Sequence, residues 1–306
     1  MYEPLPPSVS IVIPIYNRAA LLNLCLPPLF AQSYPQDRYE ILLIDDGSSD
    51  DTVERAREIG LKWDGKFRII EQTNGGPAKA RNSGLFASQA DIIAFVDSDC
   101  VAEPRWLEIL INALTHHEAD AVGGPIVGAH IDNWVSFYLE TVGFYRHRIR
   151  HGKVDYLVSG NIAVRRNALL AVGGFTTQEG VWGEDVDLSY KLIREGYKLI
   201  VSEQGVVTHY GDPTTLRQLI HNLFRYGKNI HHLSKGWKTS RQPAFEFIRH
   251  LGAAVLSPYL ALRQAHKVGL LKAITFVPLI IAEHLAFCAG SFTVIISSKR
   301  KQTVRD

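Results

Sequence analysis

Cysteine is scarce: there are 3 in 306 residues (Cys25, Cys100, Cys288), far apart and without a CxxC or Cys/His grouping. That excludes a disulfide framework and a structural zinc site, and it suits a reducing compartment. No GxGxxG occurs, so a dinucleotide-dependent dehydrogenase loses its main signature, and no GxSxG, which disfavours an α/β-hydrolase. The P-loop-like run at residues 60–66 (GLKWDGK) has Phe67 where Ser/Thr is required, and it precedes a strand instead of opening a helix. Neither an internal repeat nor a low-complexity segment is present, and the acidic, proline-bearing start (MYEP) does not read as a secretory signal. At 46% apolar and 21% charged, the chain is not disordered or fibrous.

The net charge of +2 hides an asymmetry. Residues 217–306 carry 14 Lys/Arg against 3 Asp/Glu, and residues 1–216 carry 19 against 28. A basic tail of this kind suits an anionic surface. Because it is also apolar in places, a membrane is favoured over nucleic acid.

The first half alternates strands and helices. Residues 10–14, 39–44, 67–70 and 92–96 read as short apolar strands, and residues 19–33, 51–60 and 78–90 as helices, the first kinked or split by Pro27-Pro28. Continuous apolar strands between helices imply a largely parallel sheet covered on both faces. In such sheets ligands bind beyond the carboxyl ends of the strands. Those ends carry Pro14-Ile15-Tyr16-Asn17, Asp45-Asp46-Gly47-Ser48, residues 71–76 (EQTNGG) and Asp97-Ser98-Asp99. Turn and cap chemistry explains any one of them, but four polar clusters at one edge point to a cleft. Two carboxylates one residue apart suit a hard divalent cation, which takes oxygen ligands and keeps positions for phosphate and water.

Residues 10–18 (SIVIPIYNR), 45–50 (DDGSSD), 80–84 (ARNSG), Asp97-Ser98-Asp99, Ser159-Gly160-Asn161 and Trp182-Gly183-Glu184-Asp185 stand in order, and residues 8–212 resemble the family 2 glycosyltransferases. The resemblance implies a GT-A fold, an α/β class with a Rossmann-like, nucleotide-binding mixed sheet and flanking helices. It also implies a nucleotide-diphosphate sugar donor such as a UDP-sugar, Mn²⁺ or Mg²⁺, and inversion at the anomeric carbon. On the same resemblance Asp46 would bond the base, Pro14, Tyr16 and Asn17 would line the nucleotide pocket, and Arg81 would sit near the nucleotide, with a helix-surface arginine as the alternative. Asp97 would serve the ribose or the metal, and Asp99 the metal. His209, at a strand end, would be a third metal ligand or else a structural histidine. Gly160, Asn161 and Trp182 would lie on the sugar and acceptor side. Asp185 would be the general base that the high-pKa acceptor hydroxyl needs, with Glu184 next in line. The competing reading of Glu184, Asp185 and Asp187 is an acidic cap on a helix over residues 186–195.

These features divide the chain into a catalytic domain, residues 1–212, and a basic, apolar helical tail, residues 213–306. Residues 214–234 read as an amphipathic helix bearing Arg217, Arg225 and Lys228. Beyond it the uncharged runs 251–262, 273–282 and 285–298 fall short of the roughly 18 residues of a spanning helix, but a spanning segment over residues 273–298 stays open, since only Glu283 and His284 interrupt it. Short apolar runs separated by Arg249, Arg263, Lys267 and Lys272 read as interfacial helices, and Lys299-Arg300-Lys301 as a cytoplasmic polybasic end. The expected setting is the cytoplasmic face of the cell membrane. The expected acceptor is a glycan or lipid-linked glycan of cell-envelope polysaccharide synthesis. A homo-oligomer interface is the alternative use of the apolar tail, and a nonenzymatic nucleotide-sugar-binding protein of the same fold is the alternative function.

Overall fold

The computed structural model describes residues 5–143, 146–177, 183–236 and 243–303. From the amino terminus run β1 (Val9–Ile15), α1 (Ala19–Phe30), β2 (Tyr39–Asp45), α2 (Thr52–Gly60), β3 (Lys66–Glu71), α3 (Pro77–Ala87) and β4 (Ile92–Val96). Next come β5 (Cys100–Ala102), α4 (Trp106–His116), β6 (Ala121–Gly123), β7 (Ile126–Gly128), α5 (Trp134–Val142), β8 (Arg148–Arg150), β9 (Lys153–Tyr156), β10 (Asn161–Arg165) and α6 (Arg166–Ala171). The remainder is α7 (Glu184–Arg194), β11 (Leu199–Val201), β12 (Val207–His209), α8 (Leu216–Gly236), α9 (Pro243–Val255), α10 (Ser257–Leu262), α11 (Ala265–Val268), α12 (Leu270–Thr275) and α13 (Val277–Thr303).

The chain forms two compact units. The first comprises Met1–Ala129, Tyr145–Glu179 and Glu184–Gly211; the second comprises His130–Phe144, Gly180–Gly183 and Asp212–Asp306. The first holds a seven-stranded sheet in the order β11-β6-β10-β4-β1-β2-β3, in which β10 alone runs against its neighbours. Its apolar strands are continuous because both faces are covered. Ile11, Ile13, Ile41, Leu43 and Val96 pack with Leu22, Leu26, Trp106 and Leu110 on one face. Val12, Leu42, Ile44, Ile93 and Phe95 pack with Leu85, Leu169, Leu188 and Leu192 on the other.

The prolines of the first helix do not split it. α1 runs unbroken through Pro27 and Pro28. The carbonyls that lose their i+4 donors belong to Asn23 and Leu24, both exposed residues.

A smaller sheet, β5-β12-β7, sets the site. β12 lies antiparallel to β5 with His209 opposite Cys100, and the Tyr210 N–H donates to the Asp99 carbonyl at 2.8 Å. This register brings the residue after β4's Asp97-Ser98 against a histidine far along the chain.

The second unit is helical. α13 crosses α8 closely: a Cβ on Gly227 would collide with the Phe287 carbonyl, and one on Gly290 with the Phe224 carbonyl. Ser291 Oγ donates to the Gly227 carbonyl at 3.1 Å. The stretch Leu270–Thr293, over which both a spanning and an interfacial reading were open, has 24 residues and mean hydropathy 1.7, long and apolar enough by length and composition to cross a membrane, with 44% of its apolar window buried. Its interrupting pair is partnered inside the unit, Glu283 by the Tyr138 hydroxyl and His284 by His250 (2.9 Å).

Candidate active site

The loops after β1 and β2 are knitted together. Asn17, held at φ 50°, accepts from Ser49 N–H (2.8 Å) through its side chain, and its own N–H donates to Ser48 Oγ (2.9 Å). Pro14 is buried in β1 and Tyr16 lies about half exposed at the strand's end. Asp46 is buried, and its carboxylate accepts from Gln72 Nε2 (2.7 Å), Gly75 N–H (2.9 Å) and Gly76 N–H (2.7 Å). It therefore holds the turn after β3 against this loop. Its neighbour Asp45 accepts from the N–H groups of Gly47 and Ser48 through Oδ2, while the enclosed Oδ1 finds no partner among the described residues.

Asp97 and Asp99 leave β4 into the same region. Asp99 Oδ1 stands 3.5 Å from His209 Nε2, and Asp99 Oδ2 stands 3.7 Å from Arg18 Nη2. Burial raises the Asp99 carboxyl above its ordinary range; His209 and Arg18 oppose the rise and Asp97 adds to it. Two glycines make room. A Cβ on Gly211 would collide with the Asp99 carboxylate and sit against His209 Nε2, and one on Gly160 would stand 2.9 Å from Asp97 Oδ2. Cys100 Sγ joins Asp99 and His209 in a group whose ligand atoms lie within 4.8 Å of one another. Burial, with Asp97 and Asp99 beside it, raises that thiol well above its usual range, so it stays a neutral thiol. The donor set fits a hard divalent cation: crowded carboxylate oxygens, one imidazole and space kept by glycine.

Arg81 is neither on the helix surface nor open to the cleft. It is buried, with Nη2 2.7 Å from Asp97 Oδ1 and Nη1 2.8 Å from Glu184 Oε1, and its Cζ lies 5.5 Å from the Phe175 ring centroid. Its Nε has no partner among the described residues. Burial would lower the guanidinium pKa, but Asp97 and Glu184 more than reverse that, so it remains charged.

The acids that open α7 have three different fates. Glu184 pairs with Arg81, while Asp187 pairs with Lys191 (3.2 Å) and accepts from Thr176 Oγ1 (2.5 Å). Among the described residues Asp185 accepts only backbone N–H groups, from Val186 (2.8 Å) and Ser159 (3.3 Å). Burial, then the neighbouring Glu184, pushes its carboxyl up to about 7, against Val186, Arg81 and Ser159. A carboxylate shielded from direct ion pairing and poised near neutrality has the character of a general base.

On the acceptor side, Gly160 borders Asp97, whereas Asn161 is fully buried: it accepts from Trp106 Nε1 (2.7 Å) and donates to the carbonyls of Pro125 (2.8 Å) and Gly205 (2.9 Å). Its amide ties the start of β10 to α4 and to the loops at Pro125 and Gly205. Trp182 lies outside the described residues. Sequence reasoning passed over Arg18 and Gly211. Arg18 ends the run that begins at Ser10, which was a usable signal, while nothing local marks Gly211.

Comparison with known proteins agrees with this geometry. The model of glycosyl transferase family 2 matches residues 10–173, and that of glycosyl transferase family group 2 matches residues 92–294. Glycosyltransferase AglE of Haloferax volcanii is 32% identical over 228 residues, 72% of this chain and 72% of that protein. The pre-mycofactocin glycosyltransferase of Mycobacterium tuberculosis is 32% identical over 239 residues, 74% of this chain but 48% of the relative, so the match spans about half of that protein. The mannosyltransferase PcManGT from Pyrobaculum calidifontis, solved in complex with GDP-Man and Mn²⁺, shares the fold with a TM-score of 0.66 and 20% identity, over 95% of this chain and 88% of that one.

Proposed function

The chain belongs to glycosyl transferase family 2 and has the GT-A fold, and from that premise we propose that it moves a sugar from a nucleotide-diphosphate sugar to a hydroxyl acceptor with inversion at the anomeric carbon. One observation carries this reading: a single buried arginine joins the donor-end acid Asp97 to Glu184, the neighbour of the base candidate Asp185.

Asp185 takes the proton from the acceptor hydroxyl. The oxygen attacks the anomeric carbon on the face opposite the diphosphate, and the bond from that carbon to the diphosphate oxygen breaks, its electron pair leaving with the diphosphate. Attack from the opposite face inverts the configuration. Asp99, Asp97 and His209 are the residues that would hold a Mn²⁺ or Mg²⁺ ion, which when bound supplies Lewis-acid neutralisation of diphosphate charge. Arg18, exposed beside Asp99, adds a fixed cation for the same phosphates. The loops at Pro14–Asn17 and Asp45–Ser48 would receive the nucleoside, with Asp46 shaping the wall and bonding the base. The helical second unit, apolar and basic, would hold the enzyme at the cytoplasmic face of a membrane, where glycan or lipid-linked acceptors of envelope polysaccharide synthesis are found.

A panel of nucleotide sugars assayed for transfer and donor hydrolysis, with and without Mn²⁺ or Mg²⁺, tests the proposal. Asp185→Asn should cost about 10²–10⁴-fold in rate and leave nucleotide binding in place. Turnover near normal in that variant, or full activity in chelator, would overturn it.

A further inference from the structure

The first unit is acidic as a whole, yet the hairpin of β8 and β9 is not: residues 146–156 (RHRIRHGKVDY) hold four Lys/Arg against one acid, Asp155. Arg148 and Arg150 share that carboxylate, with Nε atoms 3.2 and 3.9 Å from Asp155 Oδ2, and both side chains stay about half exposed (49% and 50%). The Tyr190 hydroxyl donates to Asp155 Oδ1 at 2.8 Å, fixing the carboxylate under the two arginines. Lys153 is exposed at the start of β9. Arg148, Arg150 and Lys153 set against Asp155 leave a surplus of two positive charges.

The hairpin is continuous with the base. β9 ends at Tyr156; Leu157 N–H then bonds Ser189 Oγ (3.0 Å) on α7, and Ser159 N–H bonds Asp185 itself. Tyr156 lies between the two regions. Its phenol is raised by burial, drawn down by Arg148, and raised again by Asp185 and Asp155. An acceptor whose hydroxyl reaches Asp185 therefore lies on the side of Tyr156 opposite its strand partner Arg148, one of an exposed pair of guanidinium forks.

We propose that the β8–β9 hairpin is the anion subsite for the acceptor, with Arg148, Arg150 and Lys153 binding a phosphate that the acceptor carries near its reacting hydroxyl. The inference rests on Asp185 being the base, and it deepens that reading by naming the acceptor class. Guanidinium forks match phosphate oxygens bidentately, and a phosphomonoester of about −1.5 to −2 charge near pH 7 balances the local surplus. The phosphate's source, a lipid headgroup or a soluble sugar phosphate, separates by experiment.

Binding of dodecyl phosphate against dodecanol, and of glucose 6-phosphate against glucose, is measured calorimetrically on the full chain. The same titrations are run on the Arg148→Gln/Arg150→Gln/Lys153→Gln variant and on the charge-preserving Arg148→Lys/Arg150→Lys variant. The full chain should bind at least one phosphate probe about tenfold or more tighter than its neutral counterpart, the scale of lost charge-assisted bonds. The Gln variant should lose that preference and the Lys variant keep most of it. A dodecyl phosphate preference assigns a lipid source, and a glucose 6-phosphate preference a soluble one. Equal binding of neutral and phosphate probes, a preference that survives in the Gln variant, or one lost equally in the Lys variant overturns the proposal. Nucleotide-sugar hydrolysis by the unmodified full chain is measured in parallel. Its absence from the wild type would count against the enzyme reading while leaving the phosphate titrations interpretable.

Discussion

Arg81 Nη1 lies 2.8 Å from Glu184 Oε1, although the residues are 103 positions apart, and the other arm of the same guanidinium holds Asp97. Burying one cation between two carboxylates is stable only with both partners present, because removing a member strands charge away from water. The arrangement also fixes which acid of the Glu184–Asp185 pair is engaged by Arg81, and the proposed mechanism takes the other as the base.

Replacing Arg81 with lysine should therefore be costly although the charge is kept. An ammonium is a point donor and cannot fork towards Asp97 and Glu184 at once. Arg81→Lys is expected to fold, to unfold at lower urea than the wild type and to slow transfer at least about tenfold, while Arg81→Ala should lose about 3–5 kcal/mol of stability. Chemical denaturation and steady-state kinetics check both, and wild-type turnover in the lysine variant would count against the bridging role.

The pH dependence follows from Asp185. Its carboxyl is raised to about 7, mainly by burial and then by Glu184, and only the ionised form can accept a proton. Transfer should thus fall on the acid side of a limb near pH 7 and level off above it. Glu184→Gln removes the like charge next to the base, so the limb should move to lower pH. A kcat profile over pH 5 to 9 in both proteins reads this out. An unmoved limb would mean that another group sets it.

Much of this was legible in the chain, and the failures are instructive. β1, β2 and β4 announced themselves as continuous apolar runs because both faces of the sheet are covered, and the Asp-rich strand ends marked the cleft. The helix was not split at Pro27 and Pro28: the carbonyls that lose their donors belong to the exposed residues Asn23 and Leu24, which the residue pattern alone does not reveal. Arg81 read as a residue near the nucleotide or else on the helix surface, and the surface alternative fails because the Glu184 that buries it is remote in sequence. Asn161 stood in an acceptor-side motif, yet its amide is committed to Trp106 and two carbonyls, a long-range circumstance. Gly211 carried no local signal, since its need for a bare Cα arises only when β12 pairs with β5.

That pairing yields a test of the proposed metal site that spares the candidate ligands themselves. A methyl group on residue 211 would push against Asp99 and His209, so Gly211→Ala should displace the donor set without removing any donor. Mn²⁺-dependent tightening of nucleotide binding is expected to weaken by about tenfold or more, with an unchanged circular dichroism spectrum. Asp99→Asn should abolish the metal effect outright. A Gly211→Ala protein with wild-type metal response would place the cation elsewhere.

The tail offers the remaining prediction. In the second unit Ile248 (66%), Val255 (75%), Tyr259 (60%) and Leu271 (83%) are exposed, and the chain there carries Arg249, Arg263, Lys267 and Lys272. Exposed apolar side chains gain roughly 25 cal/mol per Å² removed from water, and each Lys/Arg near an anionic leaflet adds about 1 kcal/mol. The full chain should sediment with phosphatidylserine-rich liposomes, and Val255→Glu/Leu271→Glu should release it. Exposed charges are screened beyond about 8 Å at physiological ionic strength. High salt should therefore weaken binding if the helices lie at the interface, and leave it nearly unchanged if Leu270–Thr293 crosses the bilayer. Protein that stays in the supernatant without detergent would remove the membrane and leave self-association as the use of this surface, which light scattering of the full chain would then detect.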